Sequence, residues 1–123
     1  MFSIRENLDK KRQEVVMKLC EKKLEELFIR FNNVLRFKYE EIELLIKREV
    51  TIIVTKVNHA DVEVRIRTET SKGEVVTVSK IFSHTPKFNE MVYILKYMLE
   101  RENFKYEVLE NIPYATFKIV FEI

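Results

Sequence analysis

The sequence predicts an α+β protein in the order α(α)-βββ-α-ββ: a long N-terminal helix, an antiparallel meander, a second helix and a C-terminal β-hairpin. Three observations predict it. Apolar residues recur at spacings of three and four as far as Glu49. From Val50 onward β-branched residues take over and alternate with polar ones. Thr85-Pro86 and Asn111-Ile112-Pro113-Tyr114 then punctuate the second half. At 123 residues the chain is read as one domain, helical over 1–48 and sheet plus helix over 50–123.

Ser3-Ile4-Arg5-Glu6 fits a capping box, in which the Ser hydroxyl and the Glu carboxylate each satisfy an orphan amide. Behind it Leu8, Val15, Val16, Leu19, Cys20, Leu24, Leu27, Phe28 and Phe31 form one broad apolar stripe. Asn32-Asn33 is the expected interruption, because Asn tolerates the left-handed conformation and can cap. Leu35, Tyr39, Ile42, Leu45 and Ile46 resume helical spacing, which would make a helical hairpin. Leu35, Phe37 and Tyr39 also alternate as a short strand would, and helix is the favoured reading.

Thr51 to Val57 reads as a buried strand, and Val62, Val64 and Ile66 alternate with Glu63, Arg65 and Arg67 as the next. A third runs from Glu74 to Phe82, where Val75, Val76 and Val78 break the alternation and leave its faces unassigned. Thr85 is the expected N-cap of the second helix, with Pro86 at its first position, where a missing N–H costs nothing. Phe88, Met91, Val92, Leu95, Met98 and Leu99 mark its inner face, and Asn103 is a candidate left-handed cap after Arg101. Phe104, Tyr106 and Val108 begin the hairpin, which finishes with Ala115, Phe117, Ile119, Phe121 and Ile123 on one face.

The run from Phe88 to Ile123, a helix followed by a hairpin, resembles the tail of small bacteriophage-encoded α+β proteins of largely undefined role. Those usually carry Gly where Asn103 stands and an aromatic finish such as Ser-Trp, where this chain has Phe121-Glu122-Ile123. The resemblance covers under a third of the chain and is one of layout. It implies a viral origin and assigns no site residue.

Several functions are excluded by composition. A single glycine, Gly73, cannot build a Walker loop, a dinucleotide fingerprint or a nucleophile elbow, each of which needs several. One cysteine, Cys20, forms neither an internal disulfide nor a cysteine-based zinc site. On the first helix's stripe it reads as a small, inert core residue. No cofactor is expected. The longest uncharged apolar run, Met91-Val92-Tyr93-Ile94-Leu95, is far short of the roughly 20 residues of a spanning helix. With no leader segment at Met1, the expectation is a protein off the membrane in the cytoplasm, or in host cytoplasm or virion if viral.

Charge is nearly balanced, with 22 Lys and Arg against 20 Asp and Glu. Neither half has the excess of a strong polyanion binder. Lys10, Lys11 and Arg12 on the helix, with Arg65 and Arg67 on a strand, are still candidates for nucleic-acid contact. Against them, acids such as Glu14, Glu21, Glu25 and Glu26 are interleaved with the lysines. His59 and Asp61 are the candidate pair for a small metal-dependent nuclease or hydrolase, because a histidine titrates near neutrality. His-x-Asp in a turn is equally ordinary turn chemistry, and no third ligand is evident. His84, at the next boundary, is separated from His59 by a whole strand.

The first helix is the remaining feature. As far as Phe31 it would be roughly 43 Å long at 1.5 Å per residue, more than a strand of seven residues can cover at ~3.3 Å each. An uncovered apolar stripe must find another surface, unless the second helical segment folds back over it as a helical hairpin. The leading expectation is therefore a non-enzymatic interaction protein that dimerises through Leu8, Val15, Val16, Leu19, Leu27 and Phe31 and binds an unidentified protein partner.

Overall fold

A computed structural model of the chain describes residues 4–38, 48–69 and 73–121. Its elements are α1 (Ile4–Lys38), β1 (Arg48–Lys56), β2 (Asp61–Glu69), β3 (Val75–Ser83), α2 (Phe88–Arg101), β4 (Tyr106–Asn111) and β5 (Tyr114–Phe121). This is the α+β order the sequence predicts. The five strands form one antiparallel sheet in the order β3-β2-β1-β5-β4.

Cross-strand rows explain which face is buried. Ile66 stands opposite Val78 and Ile52, and Ile52 opposite Phe117. The next row joins Thr68, Val50 and Ile119, and Phe82 faces Val62 at the other end. These side chains are all buried, in one cluster with Leu24, Leu27 and Phe31 of α1 and Met91, Leu95 and Met98 of α2. Both helices thus lie on the same face of the sheet. Thr68, a polar residue buried beside that core, donates its hydroxyl to the Glu49 carbonyl at 2.7 Å. The register also settles β3: Val76, Val78 and Phe82 point inward, while Val75 and Ile81 are exposed on the open face.

The helices depart from expectation in two places. α1 does not stop at Asn32-Asn33 but runs on to Lys38. Both Asn side chains are exposed, so their modest helix penalty is outweighed by burial of Phe31 and Leu35 on the opposite side of the same turns. Residues 39–47 of the expected second helical segment lie outside the described residues, as does the Ser3 cap, while its last two residues, Arg48 and Glu49, belong to β1, whose ladder with β5 they join. α2 begins at Phe88 with Lys87 as its N-cap, not at Thr85-Pro86. A proline pushes the residue before it out of helical conformation, and Pro86 is itself buried beneath the turn. The Lys87 N–H instead donates to Glu90 Oε1 at 3.4 Å.

The C-terminal cap of α2 is as predicted. Asn103 has φ +59°, the Phe104 N–H reaches Leu99 O at 2.9 Å, and the Asn103 N–H reaches Glu100 O at 3.1 Å. That pair of bonds is a Schellman motif, with Asn taking the position glycine usually holds.

Both sheet edges are blunted. On β3 the Ser79 carbonyl accepts from Arg30 Nη2 of α1 at 2.6 Å. Lys80 of β3 and Glu110 of β4 occupy the two ends of one inward-facing row, Lys80-Val64-Val54-Ala115-Glu110. Inward charges on edge strands oppose pairing with another sheet, and Glu110 is held by Lys96 of α2.

Candidate interaction surface

α1 has 35 residues and is about 52 Å long at 1.5 Å per residue. Only its C-terminal part sits on the sheet. Among the described side chains Cys20 is the first that is buried, followed by Leu24, Leu27, Phe31 and Leu35, spaced to share one side. From Ile4 to Leu19, about 24 Å of helix, no described side chain is buried. Val16 and Met17 are half-buried where this arm meets the core, with Met17 packed against it.

The arm is not uniformly polar. Ile4 is 80% exposed, Leu8 64%, Val15 46% and Leu19 57%. Intervals of four, seven and four align these residues along one side of the helix, well away from the side that carries Cys20 and Leu24. Of the six residues expected at an interface, Leu8, Val15 and Leu19 are exposed and Val16 is partly so. Leu27 and Phe31 are 3% and 4% exposed, so they serve the core of their own chain and are withdrawn from the interface. The length argument anticipates an overhang but not which end of the helix overhangs.

α1 is fixed to α2 by a small set of contacts. Cys20 Sγ lies 3.9 Å from Met91 Sδ, and burial pushes the thiol up to about 12. Arg101 Nη1 of α2 approaches Glu21 Oε2 at 3.3 Å, and its Nη2 lies 3.9 Å from Glu25. The same guanidinium stacks over the Tyr97 ring, 5.6 Å from its centroid. Nothing local in the sequence marks Arg101, because its partner Glu21 on α1 lies 80 residues away in the chain.

The five candidate nucleic-acid contacts do not form one surface. Lys10, Lys11 and Arg12 stand on the arm, beyond the residues that touch the sheet. Arg65 and Arg67 alternate with buried Val64, Ile66 and Thr68 and so point from the opposite, open face of the sheet. Arg65 is turned toward Glu63, 3.0 Å away, and Lys118 stands opposite Glu107 on that same face. A phosphate backbone crossing there meets both signs of charge.

The His59–Asp61 turn is a structural unit. Asn58 Oδ1 accepts from the Ala60 and Asp61 amides at 2.8 and 2.9 Å, while its Nδ2 donates to Asp61 Oδ2 at 2.9 Å. The Asn58 bond, with a second from Ser83, holds the Asp61 carboxyl below the usual carboxylate range. Pairing of Asp61 with Ser83 brings His59 and His84 to the same end of the β2–β3 hairpin, although both strands of that hairpin separate them in sequence. The His84 N–H donates to Ala60 O at 2.6 Å, and His84 takes φ +69°. No group of three or more His, Cys, Asp or Glu among the described residues is placed to hold a metal ion. No described helix is long and apolar enough to cross a membrane.

Comparison with protein-family models, curated proteins and solved structures finds no match to this chain.

Proposed function

We propose that the chain is a non-enzymatic interaction protein whose docking element is the N-terminal arm of α1. The observation that carries this reading is the exposed line Ile4, Leu8, Val15 and Leu19 on a helix continuous with the core. Covering one such side chain contributes about 1.5–3 kcal/mol, and an unsupported helix of about 15 residues is marginal in water. A partner therefore stabilises the arm and gains from covering it. The blunted sheet edges favour the arm over edge-to-edge strand pairing as the route of association. Either a second copy of the chain or another protein could supply the covering apolar stripe.

The test is a Leu8→Glu/Leu19→Glu variant of the full chain, run beside the parent in size-exclusion chromatography with light scattering. Both are measured alone and after incubation with cell extract, recording absorbance for protein and nucleic acid. Every assembly that the parent forms should be lost in the variant while its circular dichroism stays unchanged. Identical assemblies from both proteins sink the proposal.

A further inference from the structure

The arm's charges are sorted around the helix axis. At about 100° per residue, Lys11, Arg12, Lys18, Lys22 and Lys23 fall on the half that also carries the apolar line. Glu14 and Glu21 fall on the other half, with Cys20 and one base, Lys10. In the linear sequence acids and bases look interleaved; wound into one continuous helix most of them separate, Lys10 being the exception on the arm, and Glu26 re-enters the basic half one turn beyond Lys22. The five basic side chains are all exposed, and none is in an ion pair among the described residues. Glu21 and Glu25, in contrast, are engaged by Arg101. From Ile4 to Lys23 the outward half of the arm is therefore a narrow apolar line framed by positive charges without ion-pair partners among the described residues.

Resting on the arm as docking element, we infer that its occupant is an acidic amphipathic helix of another protein, an apolar stripe flanked by Asp and Glu. Charge complementarity selects it. A second copy brings the same basic frame to the stripe, so pairing arm to arm sets like charges together along the contact. A nucleic acid would neutralise the lysines but offers nothing to cover Leu8, Val15 and Leu19. An acidic helix answers both features: its apolar side chains pack on the line, and its carboxylates reach Lys11, Lys18 and Lys22 from the flanks.

The probes are two synthetic helical peptides with one leucine stripe, flanked by Glu in the first and by Lys in the second. Binding of each to the full-length protein is read by fluorescence anisotropy, alongside vesicles of phosphatidylcholine and phosphatidylserine. The Glu-flanked peptide should bind at least about tenfold tighter, with affinity falling as salt rises. A Lys11→Glu/Lys18→Glu/Lys22→Glu variant should reverse the preference, and its unchanged thermal midpoint would show the fold intact. Equal binding of the two peptides, no binding of either, or tighter binding to the vesicles overturns the inference. An arm-dependent homodimer without peptide discrimination would leave the docking arm standing and remove only its acidic partner. If Leu8→Glu/Leu19→Glu changes no assembly and no binding, both fall together.

Discussion

From Cys20 to Leu35, α1 sets five side chains into the core; from Ile4 to Leu19 the same unbroken helix buries none that is described. Apolar residues are present in both halves. What differs is direction. Leu24, Leu27 and Phe31 share the side that meets the sheet, whereas Leu8, Val15 and Leu19 lie on a side that stays exposed. Helical periodicity therefore reports that a side chain is on a stripe, and the reach of the sheet decides whether that stripe is core or interface.

The largest expected effect tests that division directly. Leu24 is fully buried, so Leu24→Ala should cost about 2–5 kcal/mol in urea unfolding, the range for a leucine removed from a packed core. Leu8→Ala, at 64% exposure, should stay within about 0.5 kcal/mol of the parent. The two substitutions delete the same atoms from one helix. A Leu8→Ala cost above about 1 kcal/mol would mean that the arm is packed within the isolated chain, and the comparison would fail.

The sequence discloses the strands better than the helix. Alternation at Val62, Val64 and Ile66 and the shared face of Ala115, Phe117 and Ile119 are periods of two, which any pleated backbone must obey. Asn103 is equally legible, since a left-handed cap is a local demand. Asn32-Asn33 misleads because local preference loses to burial of Phe31 and Leu35. β3 stays ambiguous in sequence because only pairing with β2 tells Val75 from Val76. Half of the expected interface survives as exposed surface, and Leu27 and Phe31 do not, because no local signal says where the sheet ends. Sorting of charge on the arm is hidden for a different reason: it exists only once residues 4–23 are wound on one axis.

Cys20 marks the boundary between the two halves and gives a smaller effect. Its thiol is buried against Met91 and pushed up to about 12, chiefly by desolvation. The raised value means that the folded chain keeps a proton which the unfolded chain gives up in the ordinary thiol range, near 9. Its contribution is thus complete below that range and is lost as pH climbs from about 9 toward about 12. Between pH 7.5 and 10 the parent should lose about 1 kcal/mol more stability than a Cys20→Ala variant. Alkylation of the native protein at neutral pH should also follow global unfolding. Rapid labelling without unfolding would move the boundary, placing Cys20 in the exposed arm.

The smallest effect concerns charge on the two sides of the helix. Arg101 joins α2 to Glu21 and Glu25, whereas Lys22, the neighbour of Glu21, points outward without an ion-pair partner among the described residues. Exposed ion pairs contribute little, because water screens them and long side chains lose freedom in making them. Arg101→Ala should therefore lower the thermal midpoint slightly, and the drop should shrink in high salt. Glu21→Gln should lower it in the parent and add nothing in the Arg101→Ala background, which is the signature of a shared contact. Lys22→Ala should leave the midpoint unmoved, yet weaken binding of a Glu-flanked peptide. One turn of α1 would then separate into an acid that holds the fold together and a base that serves only what lies outside it. If Lys22→Ala destabilised the free chain as much as Glu21→Gln, the outward charges would have an internal role, and the sorting would describe stability, not recognition.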